Sequence, residues 1–179
     1  VELIGKIIRT CKQKNIKIIA NAGGVNPKAC LAAIKNTITL AGVNEVKIGI
    51  VEGDDIADRL KELQQNGETL CNMETGEAFD NIADRITSAN AYIGATSIVE
   101  ALQQGADIVV TGRASDPSLV LAPLIYEFGW SMQDVDKLAA GTVMGHIIEC
   151  GAQCTGGNYT DWHLVPDMAR IGFPVVEAY

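Results

Sequence analysis

No stretch of the 179-residue chain approaches the roughly 18 consecutive apolar residues that a membrane span requires. Its opening, V-E-L-I-G-K-I-I-R-T, is amphipathic where a signal peptide would carry a continuous apolar core. Cysteine is scarce: the five, Cys11, Cys30, Cys71, Cys150 and Cys154, are odd in number and none stands in a C-x-x-C pair, which argues against a disulfide scaffold or a structural zinc site. Positive charge is short as well. Fourteen Lys and Arg against twenty-two Asp and Glu leave a net charge of −8, which repels polyphosphate and argues against nucleic-acid binding. Also missing are the G-x-x-x-x-G-K-[ST], G-x-G-x-x-G, G-x-S-x-G and H-E-x-x-H patterns. The expectation is a soluble protein of the reducing cytoplasm, with no nucleic-acid or membrane partner and no assigned metal or cofactor.

What is present is an alternation of helical and extended patterns. With 47% hydrophobic content the chain can bury a core, and its length fits one domain, residues 1–179. It starts at Val1 without Met and stops after an apolar run, so part of a longer polypeptide is expected. Leu3, Ile4, Ile7, Ile8 and Cys11 recur at helical spacing. Residues 17–20 form a short apolar run ending in N-A-G-G, the form of a buried strand and its turn. Asn26 then supplies a helix N-cap and Pro27 a first helical position. Residues 46–51 repeat the strand pattern before a helix over 56–65, a loop over 66–80 and a helix over 81–85. A weaker strand over 86–92 and a helix closed by Gly105 follow. D-I-V-V-T at 107–111 is the clearest strand, and Ser115 or Asp116 with Pro117 signals the next helix start. This order predicts an α/β fold, a mainly parallel sheet with helices on both faces and right-handed crossovers.

Parallel sheets gather ligands at the carboxyl ends of their strands. Asn21, the acids Glu52, Asp54 and Asp55, Asn90, and the group Thr111, Arg113, Ser115 and Asp116 all fall at expected strand ends. Each could equally be an ordinary turn or cap residue. The turn at 21–27, with Gly23 and Gly24 before a helix, fits an anion held by backbone N–H groups. Arg113 fits a bidentate carboxylate or phosphate contact, or a salt bridge to Asp116 or Glu52. Three acids in four residues could ligate a hard cation or form a solvated helix start. His146, Glu149 and Cys150 share a helix face at i, i+3 and i+4. They could serve acid/base chemistry or a thiol with a lowered pKa; alternatively, the cysteine is buried and the histidine packs the helix. The five glycines of residues 139–158 imply something pressed against them, a ligand or another backbone.

Taken together, N-A-G-G at 21–24, V-E-G-D-D at 51–55, N-A-Y-I-G-A at 90–95, V-T-G-R-A-S-D at 110–116, A-G-T-V-M-G-H-I-I-E-C-G-A-Q-C-T-G-G-N at 140–158 and R-I-G-F-P at 170–174 resemble the acyclic terpene utilisation family of AtuA type. The resemblance implies a place beside enzymes that degrade citronellol and geraniol through branched acyl-CoA intermediates, and members longer than this chain. The resulting expectation is an enzyme of branched acyl-CoA or carboxylate catabolism, a homo-oligomer acting on a small-molecule substrate. Asn21, Gly23, Gly24, Asp55, Asn90, Arg113 and Asn158 would bind that substrate, and His146, Glu149 and Asp116 would act in catalysis. The alternatives are a non-catalytic subunit that organises partner enzymes, and a divalent-metal hydrolase built on Glu52, Asp54 and Asp55.

Overall fold

The computed structural model describes residues 1–24 and 26–179. Three parallel strands form the sheet: β1 (Ile18–Ala20), β2 (Ile48–Val51) and β3 (Ile108–Thr111), in the order β1-β3-β2. Ile18 and Ile48 both register with Ile108, so β3 alone joins the other two strands. All four residues of β3 are buried, as expected of a central parallel strand, which is covered on both faces.

Successive strand residues point to opposite faces. Val109 and Val51 pack with Ala95, Ile98, Val99 and Leu102 of α4 (Ala95–Gln103) and with Ala122 and Ile125 of α5 (Ser118–Phe128). Ile108 and Val110 pack instead with Ile8 of α1 (Glu2–Gln13) and with Ile34 and Ile38 of α2 (Pro27–Leu40). The sheet thus separates two apolar clusters. The Asn26 side chain accepts the Ala29 N–H at 2.9 Å and Pro27 opens α2, as the sequence predicts. Gly105, at φ +85°, follows α4 in the terminating role expected of it.

Four expectations need correction. Residues 86–92 are not a strand: only single bridges, Asp55 to Asn90 and Ile93 to Ala114, involve this part of the chain. Its T-S-A-N centre offers no apolar alternation, and its backbone bonds go to a loop, with Ile56 N–H to Ala89 O and Ala91 N–H to Asp54 O. Around the expected helix over 81–85 there are two 3-10 turns, Phe79–Asn81 and Ala83–Arg85. The helix expected over 56–65 is a 3-10 turn, Ala57–Arg59, running into the short α3 (Leu60–Gln65). Finally, α5 begins one residue later than expected, with Pro117 as N-cap; the Ser115 side chain bonds the Ser118 hydroxyl, and its backbone carbonyl accepts the Ser118 N–H at 2.9 Å.

The glycine-rich segment is mostly helix, α6 (Val135–Cys150), and what presses on it is protein. A Cβ on Gly145 would stand 2.7 Å from the Pro117 carbonyl oxygen and 2.8 Å from its Cα, and one on Gly141 would meet the Leu121 and Trp130 side chains. These glycines let α6 close on α5 and its entry turn. Among the described residues, no helix is long and apolar enough to cross a membrane.

At the amino end of the sheet Asp107 ties three elements. Its carboxylate accepts the Lys12 ammonium and the Lys47 backbone N–H, each at 2.9 Å, with the Lys17 ammonium at 3.6 Å. Burial opposes its charge, but the Lys12 and Lys47 bonds and the two lysine charges outweigh that and hold the carboxyl below its usual value.

Two outcomes follow from these contacts. Gly145→Ala should lower stability by about 1–3 kcal/mol in urea unfolding, the backbone clash outweighing the better helix propensity of Ala. Asp107→Ala should cost about 1–3 kcal/mol at neutral pH. Because the folded-state pKa is depressed, this contribution is present above the unfolded value near ~3.9 and is lost as pH falls through the lower folded value. The gap between parent and variant should therefore close in acid, which unfolding curves at neutral pH and below pH ~4 would measure.

Candidate functional site

All three strands run parallel, so their carboxyl ends share one edge, and the polar turns after β1 and β2 meet there. Between them lies a cleft of about 560 Å³. One wall is the start of α2, with Gly24, Asn26, Pro27 and Lys28; the other is Glu52, Asp54 and Asp55, with Thr87, Ser88 and Asn90 closing the side. The first wall carries Lys28 in the first turn of α2, whose side chain makes no ion pair among the described residues. The second carries three carboxylates. The cleft is polarised across its width.

Asp54 holds this edge together. It is only 3% exposed, and its Oδ2 accepts both the Asn90 amide at 2.9 Å and the Arg113 backbone N–H at 2.8 Å. Its backbone carbonyl accepts the Ala91 N–H at 2.7 Å. The other carboxylate oxygen presses on Gly112, where a Cβ would stand 2.0 Å away. Only glycine fits beneath the acid. The loop after β2, the 87–91 segment and the turn after β3 are thus joined through one side chain. On the other flank the Gly23 N–H donates to the Thr111 carbonyl at 3.0 Å, which docks the turn after β1 onto the end of β3.

The expected site residues divide into groups. Gly24, Asp55 and Asn90 line the cleft, and Asp55 also accepts the Ala57 N–H at 3.0 Å. Asn21 is exposed at the start of the docked turn, its carbonyl accepting the Gly24 N–H at 3.3 Å; Val25 of that turn lies outside the described residues. Arg113 borders a neighbouring depression with Ser88, Ala89, Asn90 and Tyr92, so Ser88 and Asn90 belong to both hollows. Neither ion pair considered for Arg113 forms among the described residues. Its Nη2 instead donates to the Tyr92 hydroxyl at 2.9 Å, with the guanidinium carbon 5.3 Å from the ring centroid, and this bond helps keep its pKa above the usual value. Asp116 and His146 pair loosely, Oδ2 to Nε2 at 4.0 Å, and neither lines the cleft. Asn158 is exposed on the turns after α6 and donates to Gln153 at 3.1 Å.

His146, Glu149 and Cys150 do converge, with donor atoms all within 4.8 Å of one another. The thiol is not activated, however. Burial, then the hydrogen bond to Glu149, the neighbouring Cys154 and the Glu149 charge raise the Cys150 pKa. The acids at 52–55 do not form a comparable cluster among the described residues, since Asp54 is turned toward Asn90 and Arg113. Sequence reasoning missed Lys28, although the Asn26-Pro27 cap signal already placed it in the first helical turn. It also missed Tyr92 as the partner of Arg113 and Asp54 as the anchor.

Asp54→Ala should cost about 2–3 kcal/mol by leaving the Arg113 N–H and Asn90 amide without their buried acceptor. Gly112→Ala should be at least as damaging, and Asp54→Asn milder, when the three are ranked by chemical denaturation followed by circular dichroism.

Neither a curated protein nor a solved structure matches the chain. The profile of the acyclic terpene utilisation family protein AtuA matches residues 1–179, the whole chain. The motifs at the strand ends and in α6 that carry the sequence resemblance are parts of that match, and this chain belongs to the acyclic terpene utilisation family AtuA.

Proposed function

We propose that this protein is an enzyme of branched acyl-CoA or carboxylate catabolism that binds its substrate's acyl end in the cleft between the start of α2 and the Glu52–Asp55 loop. The observation that carries this reading is the polarity of the cleft, in which Lys28 at the start of α2 faces the exposed acids Glu52 and Asp55. A carboxylate or thioester carbonyl meets donors on the first wall. Hydroxyl or amide hydrogens of the same ligand meet Glu52 and Asp55 on the second. Asp54, fixed by Asn90 and the Arg113 backbone, holds the loop that carries Glu52 and Asp55, which lowers the ordering cost of binding. A nucleotide phosphate extending past Ser88 and Asn90 comes within the depression that Arg113 borders. His146 and Glu149 lie outside the cleft lining, and this reading gives them no step.

A second reading, a non-catalytic subunit organising partner enzymes, draws on exposed Trp162, Leu164, Phe173 and Val175, large apolar side chains that the described residues leave uncovered. Co-purification of a partner enzyme, lost when Trp162 and Phe173 are replaced by Ser, would favour it.

Calorimetric titration of the protein with a short branched acyl-CoA and with the matching free carboxylate separates these readings. Saturable binding of both is expected, weakened roughly tenfold or more by Lys28→Ala, with Arg113→Ala weakening only the CoA ester. Absence of saturable binding, or a Lys28→Ala protein indistinguishable from the parent, would remove the proposal.

A further inference from the structure

The carboxyl-terminal turn of α6 gathers three donors of different chemistry on one face. His146, Glu149 and Cys150 follow the i, i+3, i+4 spacing that brings helix side chains together, and one ligating atom from each lies within 4.8 Å of the other two. The Cys150 Sγ and Glu149 Oε2 are 3.5 Å apart. That separation matches the ~3.6 Å expected between sulfur and oxygen ligands of a tetrahedral zinc ion with Zn–S near 2.3 Å and Zn–O near 2.1 Å. No cation of the protein answers this group: among the described residues the His146 side chain pairs only with another carboxylate, Asp116.

We propose that His146, Glu149 and Cys150 form a binding site for a zinc-type divalent cation at the end of α6. One imidazole nitrogen, one carboxylate oxygen and one thiolate make a mixed N, O, S set, which selects borderline metals over magnesium or calcium. The side chains are placed to accept it with small movements. His146 and Glu149 are exposed, so their rotamers can close the remaining distance without disturbing the core. Coordination through Nδ1 would leave the Nε2–H facing Asp116, the carboxylate–histidine arrangement that orients metal-bound imidazoles. Binding displaces the Cys150 proton to solvent, and the thiolate so formed is stabilised by the cation. The missing C-x-x-C pair does not bear on this site, because two of its three ligands are not cysteines. It is also separate from the cleft, whose lining contains none of the three.

The probe is cobalt(II), titrated into the intact protein under reducing conditions, with zinc added afterwards. A thiolate-to-cobalt charge-transfer band in the near ultraviolet, visible d–d bands of tetrahedral intensity and loss of both on adding zinc are expected. Cys150→Ser should abolish the charge-transfer band, His146→Ala should weaken cobalt binding by tenfold or more, and Cys71→Ser and Lys28→Ala should change neither. Circular dichroism of each variant establishes that it is folded. A folded parent that binds no cobalt at millimolar metal, or binds it equally well after His146→Ala and Cys150→Ser, would overturn the site while leaving the cleft reading untouched.

Discussion

The carboxylate of Asp54 is the constraint on which the carboxyl edge of the sheet depends. A polar side chain 3% exposed needs hydrogen-bond partners, and here one oxygen accepts both an amide and a backbone N–H while the other lies on a glycine. Those partners belong to two loops, the 87–91 segment and the turn after β3. The turn after β3 is fixed to the loop after β2, and the irregular 87–91 segment is held against both. With the Gly23 N–H on the Thr111 carbonyl, the turn after β1 joins the same assembly. The cleft walls are therefore set by hydrogen bonds of the protein to itself and are formed in the absence of a ligand.

How much of this was readable from the chain follows from distance along it. The helix start at Asn26-Pro27, the buried run at 108–111 and the α/β order all rest on neighbouring residues, and the structure reproduces them. Asp54 could be seen only as one of three clustered acids, because its partners stand 36 and 59 positions away. The segment at 86–92 looked like a strand because its flanks are apolar. Its backbone in fact bonds to a loop that no local pattern announces. The α6 glycines were read correctly as a sign of close approach, yet whether a ligand or a backbone approached them depended on Pro117, far upstream.

Charge placement explains the divided outcome for the candidate residues. Gly24 and Asp55 lie in the turns after β1 and β2 and Asn90 bridges to Asp55, which brings the three to one cleft. Arg113 follows a strand too, but the Tyr92 hydroxyl holds its guanidinium over the adjoining hollow. The α6 trio is positioned by a helix that packs on α5 and not on the sheet, so its convergence is independent of the strand ends.

The order β1-β3-β2 has a consequence for biosynthesis. Among the described residues β1 and β2 pair only with β3, so neither outer strand has a hydrogen-bonding neighbour until residues 108–111 exist. A nascent chain emerging from the ribosome thus carries two unpaired strands and the apolar faces of α1 and α2 while residues 52–107 are made. Such intermediates attract chaperones and mispairing alike. The moment of collapse is set by the arrival of a single four-residue segment.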